Sequence, residues 1–232
     1  MSTDKIDFIA AFSDPEAVAR YTQGPPRYTP GFADLQRMAC VLLAERAPVD
    51  ANVLVLGAGG GLELRAFADM QPAWRFTGVD PAAPMLELAR RTVGEHVERM
   101  AFVHGLIDDA PQGPFDAATC LLTLHFLPPP ERLRTASEIR RRLKPGAPFV
   151  AAHSSFPQGE AERKLWLRRY AAFAIASGAD PVEARRAHNA VEANLATLSP
   201  EHDEAILKDA GFSNVTLFYA AFTWRGWVAY AT

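Results

Sequence analysis

The stretch "VLVLGAGGGLELR", residues 53–65, opens with four aliphatic residues and then sets four glycines within five positions. Val53 to Leu56 form the short continuous apolar run of a strand buried on both faces of a sheet. Gly57, Gly59, Gly60 and Gly61 remove side chains where a chain turns sharply or lets a ligand touch its backbone. Helical spacing resumes from Leu62 to Met70. Strand, glycine turn and helix leave free N–H groups at the helix start, which makes a ligand-binding corner.

Outward from that corner the chain alternates. Strands are predicted at 52–56, 75–80, 100–105, 115–123 and 148–154, with helices at 61–70, 83–94 and 130–142 between them. Such alternation makes a doubly wound, mostly parallel α/β sheet whose ligands sit at the carboxyl ends of the strands. "NVTLFYAAF" (214–222) and "RGWVAYAT" (225–232) are close enough for an antiparallel hairpin at the sheet edge. Residues 1–50 read as a helical cap. Within it Asp14 caps a helix with Pro15 at its first position, and "TQGPPRYTPG" (22–31) is too rich in proline and glycine to continue one. Residues 156–205 read as a purely helical insert, with Asp180 and Ser199 as helix starts. Segments 51–155 and 206–232 form the ligand-binding α/β domain.

With 232 residues, 49% hydrophobic and 22% charged, the chain can bury one sizeable core. A net charge of −3 argues against bulk adhesion to nucleic acid. Two cysteines, Cys40 and Cys120, cannot build a disulfide framework, so a reducing, cytoplasmic setting is expected. "MSTDKIDFIAAF" lacks the basic start and apolar core of a leader, and no run reaches transmembrane length.

The dinucleotide fingerprint G-x-G-x-x-G fails at its sixth position, Leu62, whereas Gly57, Gly59 and Gly61 satisfy G-x-G-x-G. That weighs against a nicotinamide-dependent reductase. Asp80 ends the second strand, 23 positions after Gly57. Its carboxylate can accept from both ribose hydroxyls of an adenosine, cap the following helix, or do both.

At these residues the chain resembles the class I S-adenosylmethionine-dependent methyltransferases. "VLVLGAGGG" looks like their first motif, "VDPAAPMLELAR" their second, and "PFDAATCLLTLHFL" the strand-four segment. "RLKPGAPFVAA" and "DAGFSNV" follow in the family's order. Within that superfamily "TPGFADL", "LLTLHFLPPPER" and "AGFSNVTLFYAAFTWRGWVA" are most similar to the carboxy-S-adenosylmethionine synthase group. The resemblance implies seven strands with one reversed, S-adenosylmethionine as cofactor, S-adenosylhomocysteine as product, and one-carbon transfer. It places Phe32, Gly57, Ala58, Gly59 and Gly61 beside the cofactor, then Asp80, Pro81 and Met85. Leu106, Ile107 and Leu121 follow, Leu106 standing where the family has an aspartate for the adenine amino group. His188 stands where the synthases carry an arginine for the extra carboxylate, which favours ordinary methyl transfer over carboxymethyl chemistry.

His125 in "TLHF" and His153 at the end of the fifth strand are candidate bases for an acceptor that must lose a proton. Asp109 could serve the adenine amino group, and Asp108 and Asp109 read equally as solvated loop acids. Tyr21, Arg27 and Tyr28 cluster with Phe32 around the proline–glycine break, Tyr21 and Arg27 toward the cofactor and Tyr28 toward the acceptor. Trp166 and Tyr170 recur at helical spacing in the insert, as cap core or as acceptor wall. The histidines show no metal-ligand spacing. These aromatic, weakly charged caps point to a small-molecule acceptor; tRNA and a homodimer stay open, and no membrane contact is expected. A binder that kept the fold without the chemistry is the remaining rival.

Overall fold

The structure, a computed structural model, describes residues 8–232. The opening residues 1–7, read above for a leader, lie outside the described residues. Strands β1 (Asn52–Leu56), β2 (Arg75–Asp80), β3 (Met100–His104), β4 (Ala117–Leu121), β5 (Pro148–Ser154), β6 (Phe212–Ala221) and β7 (Trp224–Ala231) form one sheet. Its order is β3-β2-β1-β4-β5-β7-β6, parallel except for β7, which runs against both of its neighbours. The doubly wound sheet and its terminal hairpin are as the sequence predicts. The hairpin turns on Phe222 and Thr223, with Phe222 at φ 49°.

Ten helices are described: α1 (Phe8–Ala11), α2 (Pro15–Arg20), α3 (Gly24–Tyr28), α4 (Phe32–Ala44), α5 (Leu62–Met70), α6 (Ala83–Val93), α7 (Pro129–Arg141), α8 (Glu160–Ala176), α9 (Pro181–Asn194) and α10 (Pro200–Asp209). Asp14, Asp180 and Ser199 cap α2, α9 and α10 through their side chains. The break at 22–31 is shorter than expected. A 3-10 turn over Tyr21–Gln23 runs into α3, because Pro25 and Pro26 fall in its first turn, where a proline's missing N–H costs nothing. β4 is also shorter than the predicted 115–123, since Leu122 turns to φ 55° and ends the strand.

Side-chain alternation along β1 divides the core. Val53 and Val55 pack with α4 and α5 through Leu35, Leu43, Leu64 and Phe67, all fully buried. Leu54 and Leu56 point to the opposite face, where Ile139 of α7 and Leu207 of α10 meet them in a second cluster. The helix that straddles the expected insert boundary, α10, thus packs on α7 and β6. Among the described residues no helix is long and apolar enough to cross a membrane.

Candidate functional site

The glycine turn leaves β1 with Gly57, Gly59 and Gly61 all at positive φ, 74°, 48° and 79°. Such backbone is strained for any residue with a Cβ. A Cβ on Gly57 would land on the Thr123 hydroxyl just beyond β4, and one on Gly59 would lie 2.9 Å from the Tyr21 hydroxyl. One on Gly61 would come within 2.8 Å of the Ala89 backbone, so this glycine allows α5 to close on α6. Asp80 locks the turn from the tip of β2. Its Oδ2 accepts from Gly59 N at 2.8 Å and its Oδ1 from Ala82 N at 2.9 Å. Burial pushes its carboxyl up, while these two N–H donors pull it down.

Above this turn lies a cavity of about 900 Å³ at the carboxyl ends of the strands. On its sheet side are Gly57, Gly59, Asp80, Pro81 and Met85, with Leu106, Ile107 and Leu121 beyond them. Tyr21, Tyr28, Tyr170 and His125 complete the expected residues of the wall. Tyr21 lies over the glycines; burial, then the charges of Glu63 and Asp80, hold its phenol protonated.

Several expected residues stand outside the cavity wall. Ala58 is buried beneath the turn, where a Cβ on Gly78 would meet it. Phe32 starts α4, and Arg27 is exposed at the end of α3. Trp166 lies under the guanidiniums of Arg169 and Arg225. His188 sits 3.8 Å from Glu192 one turn along α9, while its neighbours Ala187, Ala190 and Val191 line the cavity. Asp109 turns back to accept from Leu106 N at 2.9 Å and Asp108 pairs with Arg134 at 2.9 Å, and both stand outside the cavity wall.

The two candidate bases differ in access. His153 is 1% exposed and lies against Trp227, with Nε2 3.1 Å from Asp203. Asp203 also pairs with Arg132, which donates on to the carbonyls of Leu127 and Ala196. This buried group sits behind the wall. His125 lines the cavity from a 3-10 turn after β4, and its Nδ1 accepts from Ser154 N at 3.3 Å. Burial first, then the neighbouring His153 and Arg132, hold the His125 imidazole well below its ordinary value.

Sequence reasoning missed Thr123, Phe12, Glu63 and Trp224. Phe12 meets Tyr21 and Phe126 edge-on, closing one side of the cavity. Trp224 Nε1 donates to the Tyr28 carbonyl at 2.8 Å, tying the hairpin to α3. Glu63, in the first turn of α5, is sealed behind the turn. Burial pushes its carboxyl well above the usual range, against the bond from the Thr119 hydroxyl at 3.3 Å. The acidic residue in a helix's first turn was the one local signal for any of these.

Residues 53–146 match the family described as "Methyltransferase domain". The carboxy-S-adenosyl-L-methionine synthase of Chromohalobacter salexigens is 29% identical, over 97% of this chain and 85% of its own. The protein of the same name from Actinobacillus succinogenes is also 29% identical, over 88% and 86%. Two solved structures share the fold. "PigF with SAH" has a TM-score of 0.69 at 19% identity, covering 96% of this chain. Human N-acetylserotonin methyltransferase with SAM has 0.63 at 14%, covering 99%. The chain spans about three fifths of each, 61% and 60%. The glycine turn, the strand-end cavity and this sheet order go with a methyltransferase domain over residues 53–146, and along most of its length the chain is similar to the carboxy-S-adenosyl-L-methionine synthases.

Proposed function

We propose that the protein transfers the methyl group of S-adenosylmethionine, in line, to a small and largely apolar acceptor held under α8 and α9. The cofactor fits the sheet side of the cavity. Gly57 and Gly59 present bare backbone to the cavity, and Asp80 spends two acceptor positions on backbone and keeps the others for a ribose. Bound there, S-adenosylmethionine supplies an activated methyl on a sulfonium. The chain's own residues then orient the acceptor and exclude water. In this reading the N-terminal helices within 1–50 and the insert 156–205 form the cap, with α3 resting on α8.

The observation that carries the reading is the chemistry of the cap-side wall. Tyr28 and Tyr170 face each other at 5.4 Å, joined by Phe126, Trp224, Val191 and Leu195. Among the described wall residues the cations are Arg20 and Arg134. Each has a carboxylate neighbour, Glu16 at 3.7 Å and Glu131 at 2.6 Å. Arg134 is bonded to Glu131 and Asp108 and Arg20 is largely exposed, so a carboxylated cofactor would leave water without gaining a buried guanidinium fork. That difference is worth about 1.5–3 kcal/mol.

Competition calorimetry is therefore expected to show S-adenosylmethionine binding about tenfold or more tighter than its carboxylated form. His188→Arg leaves that preference in place, because the side chain lies beside Glu192 rather than in the wall. Labelled methyl should appear on a small acceptor from a metabolite pool. Preference for the carboxylated form would replace this reading with the synthase activity for which the relatives are named.

A further inference from the structure

We infer that His125 meets the acceptor as a hydrogen-bond donor through Nε2–H, so that the site takes acceptors whose reacting oxygen arrives already ionised, a phenol-type acidic hydroxyl. This rests on the methyl-transfer reading and names the substrate class of the same site.

The tautomer follows from the backbone. Neutral imidazole carries one donor and one acceptor nitrogen. Ser154 N donates to Nδ1 of His125, which leaves the ring proton on Nε2. Burial and most of the neighbouring charges oppose a second proton. His153 on β5 and Arg132 on α7 disfavour it, and Asp203 on α10, which favours it, is already shared between those two. Phe126 at 4.3 Å and the edge of Trp224 at 5.6 Å cover the imidazole with apolar surface.

The rest of the described wall holds no proton acceptor in reserve. Tyr21, Tyr28 and Tyr170 are all pushed toward their neutral forms by burial. Asp80 is bonded to two backbone N–H groups and in this reading gives its remaining acceptor positions to the ribose, and Glu131 is held by Arg134. Atoms and charge balance without a base when the acceptor enters as an anion. Its oxygen lone pair forms the O–CH3 bond as the C–S bond breaks, and that bond's electron pair returns to sulfur. Anion and sulfonium become ether and thioether, both neutral, with no proton left to move. An un-ionised hydroxyl would instead leave its proton with no side chain placed to receive it. A phenolate shares its charge with its ring, so one N–H beside aromatic walls supports it where a carboxylate requires a fork.

Two measurements test this, both with S-adenosylhomocysteine bound. Nitrogen-15 spectra of the histidines, with His125 assigned by its loss in His125→Gln, are expected to show a proton on Nε2 and a bare Nδ1 from about pH 6 to 8. Para-nitrophenol is expected to bind as its phenolate, read from its visible absorbance as a lowered apparent pKa. His125→Leu weakens that binding about tenfold or more, and His125→Gln, which keeps an N–H donor, retains it within a few-fold. A bare Nε2, an imidazolium at neutral pH, binding of the neutral phenol, or no binding of para-nitrophenol would each overturn the proposal. The cofactor competition does not involve para-nitrophenol, so its failure would be seen separately.

Discussion

Replacing Asp203 with alanine is expected to lower the unfolding free energy by about 3–5 kcal/mol, measured by urea denaturation. Asp203 and Arg132 are both fully enclosed, with side-chain exposures of 0% and 1%. Removing the carboxylate leaves a guanidinium in the interior whose remaining partners are the neutral carbonyls of Leu127 and Ala196. Arg132→Met combined with Asp203→Leu should cost much less than either single change, because no charge is then stranded. The pair also sets an acid sensitivity. Burial alone would push the Asp203 carboxyl up, but His153 and Arg132 outweigh it and hold it down to about 2, against 3.8 for a free side chain. A carboxyl depressed on folding stabilises the protein above its unfolded value, and that stability is lost as pH falls through the folded one. About 2 kcal/mol should therefore disappear between roughly pH 4 and pH 2. In Asp203→Asn this slice of the pH dependence should be missing from the denaturation midpoints.

Asp80→Ala is expected to weaken S-adenosylhomocysteine about ten- to hundredfold in calorimetry, from charge-assisted bonds worth about 1.5–3 kcal/mol. The acid has two tasks. It accepts from Gly59 N and Ala82 N, which shapes the turn and starts α6, and its remaining lone pairs face the cavity. Asp80→Asn should not rescue binding. Both carboxylate oxygens accept from backbone N–H groups, so one of them would face the amide's own donors. Wild-type affinity in a folded Asp80→Ala protein would show that the ribose lies elsewhere.

The strands around the site were legible because their signals are local. β1, β2 and β5 fall at 52–56, 75–80 and 148–154, where apolar runs meet glycine, proline or a polar end. The glycine turn and Asp80 were legible for the same reason, since a turn's backbone and a strand's tip depend on a few consecutive residues. α3 was missed because prolines read as breakers, although at a helix's first turn they start one.

What the sequence determined by itself is thus the alternation of elements, their caps and the glycine corner with Asp80 at its rim, all set within a turn or a strand. Tertiary structure alone decided which side chains close the cavity. On α9 one residue's step rotates the side chain about 100°, so Ala187 and Val191 face the cavity while His188 turns to Glu192. Arg132 and Asp203 lie 71 residues apart, and Trp224 is 196 from the Tyr28 carbonyl it binds. No local rule pairs such residues. They meet because the sheet brings β4, β5 and β7 side by side, and because a buried charge or indole N–H must find a partner wherever the fold delivers one.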